Sequence, residues 1–418
     1  MIITVYDSYN VLYKVYGEGA FIKQALTNTQ IEELNRAAVT KITYGVLDKD
    51  VTLSFIIKSL CEKTPKLPVR IILKIALYQI IYLKTAPYAV TNACVELVKK
   101  LGKGGVSGFV NAILRKYLKS PVSIPEDGVT GLSLKYSYPE FAVKKLISDY
   151  GVETAEKIMS ADEEFTFVRF NLDADGEEYL KSINKTYDKT PFTNLYRVKN
   201  FKLNGGFYEG LYTFQSIGSV AISEAVGSGD RLLDACSAPG GKAVYLADKF
   251  NSVVAEEVYP HRVELIKSYA SRMKKYNVSA VLGDGTVINP DFVNSFDCVL
   301  ADVPCSGYGV VKDNPDIKLH RTEENIFELN KTQAKILDTV KNYVKTGGYL
   351  CYSTCSVFKS ENDDIIKDFL RKNPDFAVET CDSPLRHIKT AYGMQFLPHL
   401  SLNAGFYFCK LKKTKGEQ

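Results

Sequence analysis

The sequence predicts a multidomain protein with an all-α N-terminal domain, a small α+β connector and a C-terminal α/β domain built on a parallel sheet. Two observations lead to this prediction. Apolar side chains recur at helical spacing through residues 1–120, and from residue 206 short apolar runs alternate with glycine turns and helical segments. A length of 418 residues, 45% of them hydrophobic, supplies several buried cores. We place the domains at residues 1–125, 126–205 and 206–418.

The N-terminal domain contains four segments whose apolar residues recur every three or four positions, which places them on one helix face. One of these segments starts just after Pro68, and another ends at Gly102, a typical C-cap glycine. The predicted helices are Gln30–Leu47, Val69–Leu83, Thr91–Leu101 and Phe109–Leu118. Short connections between them predict an all-α unit.

A Pro/Ser/Gly-containing break from Ser120 to Gly131 separates this unit from the connector. The connector combines a predicted helix, Pro139–Met159, with a predicted strand, Phe165–Asn171. Its sequence carries no recognisable chemistry.

The C-terminal domain alternates strands with helices, which predicts a parallel sheet covered on both faces. The predicted strands are Arg231–Cys236, Ser252–Glu257, Ala280–Gly283, Phe296–Asp302 and Gly348–Ser353. The predicted helices are Ala243–Phe250, Arg262–Tyr276 and Asn330–Lys345. A last pair, Ala377–Thr380 and Gly405–Lys410, is expected to form an antiparallel edge. Functional side chains should then cluster at the C-terminal ends of the strands.

Charge and cysteine content restrict the class of protein. Residues 1–120 hold 17 Lys/Arg against 8 Asp/Glu, a net +9, which predicts a phosphate-bearing partner. Nine cysteines without a CxxC pair favour reduced thiols, and neither a disulfide framework nor a metal site is expected. Asp7 stands where a signal peptide would be basic, and Arg70 and Lys74 interrupt the most apolar helix. We therefore expect a cytoplasmic protein without a membrane span.

A glycine turn follows the first strand of the C-terminal domain and opens a helix, in the sequence DACSAPGGK. The turn matches neither GxGxxG nor a P-loop, so dinucleotide and nucleotide-phosphate sites are disfavoured, and with them an NAD(P) oxidoreductase. By itself it is either a purely structural turn or a backbone cradle for a ligand. The candidate cofactor-binding residues here are Cys236, Ser237, Ala238, Pro239, Gly240, Gly241 and Lys242.

Acidic residues follow the next two strands. A carboxylate at the end of the second strand is suited to the ribose hydroxyls of an adenosine-type cofactor. Strand alternation should point only one of Glu256 and Glu257 into the crevice, and the pattern alone does not decide which. Asp284 in GDGT is suited to an adenine amino group, or it is a simple turn former.

Two cysteine motifs, DVPCSG and STCS, end two further strands, so Cys305 and Cys355 should meet in one cleft with Asp302 beside them. Cys236, Cys298 and Cys351 are better explained as small buried side chains. Cys305 and Cys355 follow Pro304 and Thr354 in turns beyond the strand interior, so a purely structural role fits them poorly and both are candidate reactive thiols. These residues alone leave open which cysteine attacks.

In order and spacing, APGGK, DVPCSG and STCS resemble the motifs of the RNA cytosine-C5 methyltransferases that use S-adenosylmethionine. NPDIK, from Asn314 to Lys318, is similar to the RsmB (Sun) branch, which modifies small-subunit ribosomal RNA. The stretches NRAAVTKITYGVL, LYQIIYLKTAP, NACVELVKKLG and GFVNAILRKYL resemble the antitermination factor NusB. The family usually has Asp where Glu257 stands, and a small residue where Tyr308 stands. A more basic pair is usual at Lys312-Asp313.

The resemblance implies a NusB-like helical RNA-binding domain and a Rossmann-like class I methyltransferase domain. It implies Cys355 as the nucleophile, Asp302 at the N3 edge of the base and Cys305 in the later elimination. S-adenosylmethionine would be held by residues 236–242, Glu257, Asp284 and Asp302. The implied partner is 16S ribosomal RNA, free or in an assembling small subunit, and not DNA. We expect a monomer.

Three alternatives stay open from the sequence. A sister enzyme could act on transfer RNA or on another ribosomal site. An amino-group methyltransferase fits poorly, because DVPC replaces the Asn/Asp-Pro-Pro-aromatic element expected for that chemistry. The third alternative is a non-catalytic RNA-binding assembly factor, which intact motifs argue against.

Overall fold

Helices account for most of the chain up to Ser160, and strands alternate with helices after it. The computed structural model describes residues 2–161 and 165–414. Its contacts divide the chain into two units: Met1–Ser160 with Val311–Thr322, and Ala161–Val310 with Glu323–Gln418. The three-domain boundaries inferred from the sequence stay a prediction.

The described residues form seventeen α-helices and thirteen strands. The helices are α1 (Ile2–Glu18), α2 (Ile22–Thr27), α3 (Glu33–Asp48), α4 (Asp50–Leu60), α5 (Leu67–Ile81), α6 (Pro87–Lys100), α7 (Ser107–Lys119), α8 (Gly128–Tyr136), α9 (Glu140–Ser160), α10 (Gly176–Ser182), α11 (Gly205–Tyr208), α12 (Ile217–Val226), α13 (Gly241–Leu246), α14 (Pro260–Arg272), α15 (Ile317–His320), α16 (Glu323–Val340) and α17 (Asp363–Lys372). The strands are β1 (Thr166–Phe170), β2 (Tyr187–Lys189), β3 (Leu195–Val198), β4 (Tyr212–Phe214), β5 (Gly229–Asp234), β6 (Phe250–Glu257), β7 (Val278–Leu282), β8 (Phe296–Asp302), β9 (Val344–Thr354), β10 (Phe376–Glu379), β11 (Ile388–Lys389), β12 (Met394–Phe396) and β13 (Phe406–Lys413).

Helix α5 is the centre of the helical unit. Ten of its residues are buried, and α1, α3, α4, α6 and α7 pack around it. A helix that is apolar around most of its circumference must be covered on all sides, which explains this central position. Pro68 lies in its first turn, where the missing N–H costs nothing. The predicted all-α class of this region is confirmed.

Residues 311–322 lie between two parts of the second unit in the sequence, but they pack within the helical unit. The Asp316 carboxylate accepts the N–H of Ile22 at 2.9 Å, and Lys318 Nζ lies 3.0 Å from Asp48 Oδ1. The Lys318 side chain is only 1% exposed, and burial lowers its pKa to about 8 although Asp48 opposes that shift. A buried ion pair of this kind requires both partners, so it anchors the segment to α3.

The second unit contains two sheets. The smaller has the antiparallel order β2-β3-β1-β4 and packs on an aromatic cluster that includes Phe170, Tyr196 and Tyr212. The larger has the order β11-β12-β13-β9-β8-β5-β6-β7, with β10 also paired to β13. Strands β5 to β9 pair in parallel, and β13 is antiparallel to β9. Apolar clusters cover both faces, which confirms the predicted α/β class.

Several predictions about single elements were incomplete or wrong. The last strand pair is antiparallel as predicted, but β13 is not an edge strand, because β9 pairs with one side of it and β10 and β12 with the other. The helix predicted to run to Lys345 ends at Val340, since β9 already begins at Val344. The sequence interpretation did not identify α1, α4, α17 or the strands β2 to β4.

None of the helices in the described part of the chain is both long and apolar enough to span a bilayer.

Candidate active site

Cys305 and Cys355 lie against each other at the C-terminal edge of the large sheet. Cys305 follows β8 by three residues, and Cys355 directly follows β9. Because β8 and β9 pair in parallel, with Asp302 opposite Ser353, the two turns lie side by side. The Sγ atoms are 3.1 Å apart, and both cysteines are free thiols. The structure therefore brings together the two cysteines that the sequence singled out.

Asp302, the last residue of β8, joins the thiol pair to the glycine turn. Its Oδ2 lies 2.5 Å from Lys242 Nζ, and its Oδ1 accepts a hydrogen bond from Ser353 Oγ at 2.6 Å. Burial lowers the pKa of Lys242, but Asp302 and, less strongly, Asp234 and the Cys355 sulfur outweigh it and raise that pKa above its usual value. Asp302 thus holds a lysine cation at the end of β8.

The two thiols have different environments. Cys305 is 8% exposed, whereas Cys355 is half-buried. A hydrogen bond to Cys355, burial and the nearby Glu361 carboxylate raise the pKa of Cys305 well above its ordinary value. Cys305 therefore keeps its proton at neutral pH.

The glycine turn, Cys236–Lys242, connects β5 to α13. Gly240 has a φ of +99°, and a Cβ there would approach the Cγ2 atom of Ile266 to 3.3 Å, so a side chain would be both strained and crowded. Both carboxylate oxygens of Asp234 and the hydroxyl of Ser237 are buried without a hydrogen-bond partner of normal geometry in the described chain. Burial and the charge of Asp302 raise the pKa of Asp234 to about 7. Buried polar atoms with incomplete hydrogen bonding beside the glycine turn are typical of a ligand site.

The adjacent acids of β6 occupy opposite faces of the sheet. Glu257 accepts the N–H of Tyr259 at 3.1 Å and lies 3.4 Å from Arg262, which also donates to the Ala238 carbonyl at 3.1 Å. This arginine places Glu257 next to the glycine turn, which favours Glu257 over Glu256 as the ribose ligand. The assignment of Glu257 to the ribose stays a prediction.

Glu256 is buried on the other face, beside Gly283. Its Oε2 has no hydrogen-bond partner among the described residues, and a Cβ on Gly283 would overlap Oε1. Burial, with the charge of Asp284, raises the pKa of Glu256 from 4.5 to about 7. A buried carboxyl of this kind is stabilised by protonation and is destabilising once ionised.

We expect Glu256→Gln to raise the free energy of unfolding above that of the wild type at pH 8, and to change it little at pH 5. The folded protein binds the Glu256 proton more tightly than the unfolded chain does. The stability that this proton contributes is therefore fully present below pH 4.5 and is lost as the pH rises through 7. The variant should gain up to about 3 kcal/mol over the wild type at pH 8 and little at pH 5. Urea unfolding of the cofactor-free protein at both pH values measures this difference. Glu264→Gln, at an exposed acid on α14, is the control, and an equal difference at both pH values would contradict the prediction.

Asp284 follows β7 on an exposed turn. Its Oδ1 accepts both the N–H and the hydroxyl of Thr286, at 2.9 and 2.8 Å. These bonds lower the pKa of Asp284, so the carboxylate is ionised at neutral pH. Both hydrogen bonds use one oxygen, and Asp284 as an adenine ligand stays a prediction.

Sequence reasoning missed several residues of this site. Asp234 and Ser353 bracket Asp302, Arg262 links Glu257 to the turn, and Glu361 contacts both cysteine turns. The position of Asp234 at a strand end was an available signal. For Glu361 there was no local signal, because its partners are distant in sequence.

Comparison with known proteins agrees with this arrangement. Residues 223–412 match the model of the family "16S rRNA methyltransferase RsmB/F", and residues 8–119 match the NusB family. The chain is 30% identical to the probable ribosomal RNA small subunit methyltransferase B of Bacillus subtilis strain 168, covering 94% of each protein. It is 28% identical to ribosomal RNA small subunit methyltransferase B of Salmonella paratyphi A, covering 96% of each. The crystal structure of PH0851 has the same fold, with a TM-score of 0.85 at 22% identity over 99% of this chain and 98% of that one.

The parallel sheet and its glycine turn, together with the family match over residues 223–412, identify an S-adenosylmethionine-dependent methyltransferase. With its N-terminal NusB domain, the chain belongs to the RsmB/F family of ribosomal RNA methyltransferases.

Proposed function

We propose that this protein transfers a methyl group from S-adenosylmethionine to C5 of a cytosine in 16S ribosomal RNA through a covalent bond between Cys355 and C6. The observation that carries the proposal is the 3.1 Å contact between two thiols at adjacent strand ends, next to Asp302. Methylation of an exocyclic amine does not require a pair of thiols. Addition to C6 and later elimination require one group for each step.

The residues supply each group that the reaction needs. The Cys355 thiol gives up its proton as its sulfur adds to C6, and the C5–C6 electron pair becomes a C4–C5 double bond. N3 takes up a proton, and Asp302 would hold that N3–H by accepting its hydrogen bond. When bound, S-adenosylmethionine supplies the electrophilic methyl group. C5 would form its bond to the methyl group as the methyl–sulfur bond of the cofactor breaks. The C5 proton then passes to solvent, the C5–C6 double bond reforms as the C6–sulfur bond breaks, and N3 releases its proton. Cys305 would assist this last elimination.

The environments of the two thiols support Cys355 as the nucleophile. Cys355 is the more exposed of the pair, so a substrate base reaches its sulfur more readily than that of Cys305. Cys305 is buried and retains its proton, so it is poorly suited to the first attack. Residues 236–242, Glu257, Asp284 and Asp302 would hold the cofactor.

The NusB domain would bind the RNA backbone electrostatically, given its net charge of +9 over residues 1–120. We expect the triple change of Lys103, Arg115 and Lys119 to Glu, all exposed in or next to α7, to weaken RNA binding by about 10-fold or more at low salt. The dependence of log Kd on log salt concentration should also become less steep. The same change at the exposed cations of α17, Lys367, Arg371 and Lys372, serves as the control. Equal losses for both triple variants would refute a role specific to this domain.

The proposed reaction is tested by product analysis. The protein is incubated with S-adenosylmethionine and unmodified 16S ribosomal RNA. The RNA is then digested to nucleosides, which are separated and identified by mass spectrometry. The proposal predicts 5-methylcytidine. Methylated adenosine or guanosine would overturn the cytosine assignment. If parallel incubations gave 5-methylcytidine only in transfer RNA or in large-subunit RNA, that RNA would replace 16S ribosomal RNA as the proposed substrate.

A further inference from the structure

Glu361 contacts the turn that follows each of the two paired cysteines. It ends a 3₁₀ turn, Lys359–Glu361, just before α17, and it is 0% exposed. One oxygen, Oε2, accepts the hydroxyls of both Ser306 and Ser356. The other, Oε1, accepts the backbone N–H of Ser306 at 2.7 Å and the Gln333 amide at 3.1 Å. One carboxylate thus receives four hydrogen bonds from three different parts of the chain.

The two serines are the residues that directly follow Cys305 and Cys355, and their hydroxyls lie 3.2 Å apart. Glu361 is itself held, because Tyr352 Oη donates to its carbonyl at 2.6 Å. Gln333 donates both to Glu361 and to the carbonyl of Pro304, at 3.0 Å. The hydrogen bonds therefore form a closed network around the thiol pair.

No Lys, Arg or His side chain forms an ion pair with Glu361 among residues 2–161 and 165–414. The polar contacts of this buried carboxyl group are the hydrogen bonds from the two cysteine turns and Gln333. A side chain whose hydrogen bonds converge from these turns points to a role in holding them together.

We propose that Glu361 is a positioning residue: its single buried carboxylate ties the turn after β8 to the turn after β9 and thereby fixes the separation and orientation of Cys305 and Cys355. The effect on methyl transfer rests on the function proposed above. The hydrogen-bonded connection between the two turns is independent of that function.

The charge of Glu361 has a second consequence for the thiol pair. The carboxylate is one of the groups that raise the pKa of Cys305, after the hydrogen bond to Cys355 and burial. The buried carboxylate therefore favours a protonated Cys305.

The test compares Glu361→Gln with Asp363→Asn in the full-length protein. Glutamine keeps the size of Glu361 but replaces an acceptor oxygen with a donor, so it cannot accept all four hydrogen bonds. Asp363 is a matched acid two residues away, which accepts hydroxyls of Tyr407 and Thr390 at 2.6 and 2.7 Å and is not bonded to either cysteine turn in the described contacts. We expect Glu361→Gln to lower the kcat of methyl transfer by about 10²-fold with little change in KM, and Asp363→Asn to leave kcat unaltered.

A second readout is independent of methyl transfer. In a Cys355→Ala background, alkylation of Cys305 by iodoacetamide is followed against pH by peptide mass spectrometry. Adding Glu361→Gln should move the midpoint of this profile to lower pH, and adding Asp363→Asn should not. A shifted profile, with no methylation of RNA by the wild-type protein, would support the role of Glu361 and count against the proposed function.

The inference is overturned if Glu361→Gln retains the wild-type kcat and the Cys305 profile does not move. It is equally overturned if Asp363→Asn changes both quantities by the same amount, because the effect would then be structural. If Glu361→Gln fails to fold, Ser356→Ala removes one of the four hydrogen bonds and leaves the charge. That variant should then lower kcat without moving the Cys305 alkylation profile. An unaltered kcat would overturn the proposal that Glu361 positions the two cysteine turns.

Discussion

Replacing Cys355 with alanine should lower the single-turnover rate of methyl transfer to ribosomal RNA by about 10⁴-fold or more. The reason is that C5 of cytosine is a weak carbon nucleophile until a sulfur has added to C6. Without Cys355, the remaining thiol is the buried and protonated Cys305. The rate is measured by transfer of a radiolabelled methyl group from the cofactor to RNA at saturating protein concentration.

Cys351→Ala is the matched control for this variant. Cys351 lies on β9, the strand that Cys355 directly follows, and is fully buried against Cys298, with the sulfurs 3.8 Å apart. Its replacement should reduce stability slightly and leave the rate near that of the wild type. A rate for Cys355→Ala within 10-fold of that of Cys351→Ala would exclude Cys355 as the nucleophile.

Asp302→Asn should reduce kcat by about 10²- to 10³-fold, the second-largest effect expected. The asparagine keeps the shape of the side chain, but it cannot neutralise Lys242, which lies 2.5 Å from Oδ2, or stabilise charge at N3 in the same way. Single-turnover methyl transfer measures the loss, and equilibrium binding of the cofactor shows how much of it arises from weaker binding.

Asp297 provides the matched control at the other end of β8. It pairs with Lys345 at 2.9 Å and accepts the N–H of Arg231 at 3.0 Å, so Asp297→Asn also removes an acid from a lysine pair on the same strand. We expect a near-normal kcat for that variant. Equal losses for both variants would mean that Asp302 acts through the stability of the strand and not through the chemistry.

The architecture of the large sheet was largely predictable, because its signals are local. Each parallel strand is a short apolar run bounded by a glycine or polar turn, and parallel strands place their C-terminal ends at one edge. That rule alone predicts that the residues after β8 and β9 share a cleft. It does not determine that these strands are direct neighbours with Asp302 opposite Ser353.

The small sheet was less predictable for a physical reason. Its strands have three to five residues, and β2 has no buried position at all, so alternation of apolar and polar residues cannot be recognised. The packing of residues 311–322 in the helical unit has no local signal either, since the partners of Lys318 lie on α3, 270 residues earlier.

Glu361 shows the same limit within the site. Its neighbours Asp363 and Asp364 are acids of the same kind, and nothing in the local sequence marks Glu361 as the one that is fully buried. Its role depends on Ser306, which is 55 residues away and reaches it only through the pairing of β8 with β9. Tertiary packing, and not propensity, selects this residue.

The central claim, a covalent bond between Cys355 and the target cytosine, is tested most directly by trapping that bond. Cys305→Ala should slow the final elimination, so incubation with S-adenosylmethionine and 16S ribosomal RNA should accumulate a protein–RNA adduct. After nuclease and protease digestion, mass spectrometry should find a methylated cytidine nucleotide on the peptide that contains Cys355. An adduct on a peptide with another cysteine, or product formed by Cys355→Ala at the wild-type rate with no adduct in any variant, would contradict the account.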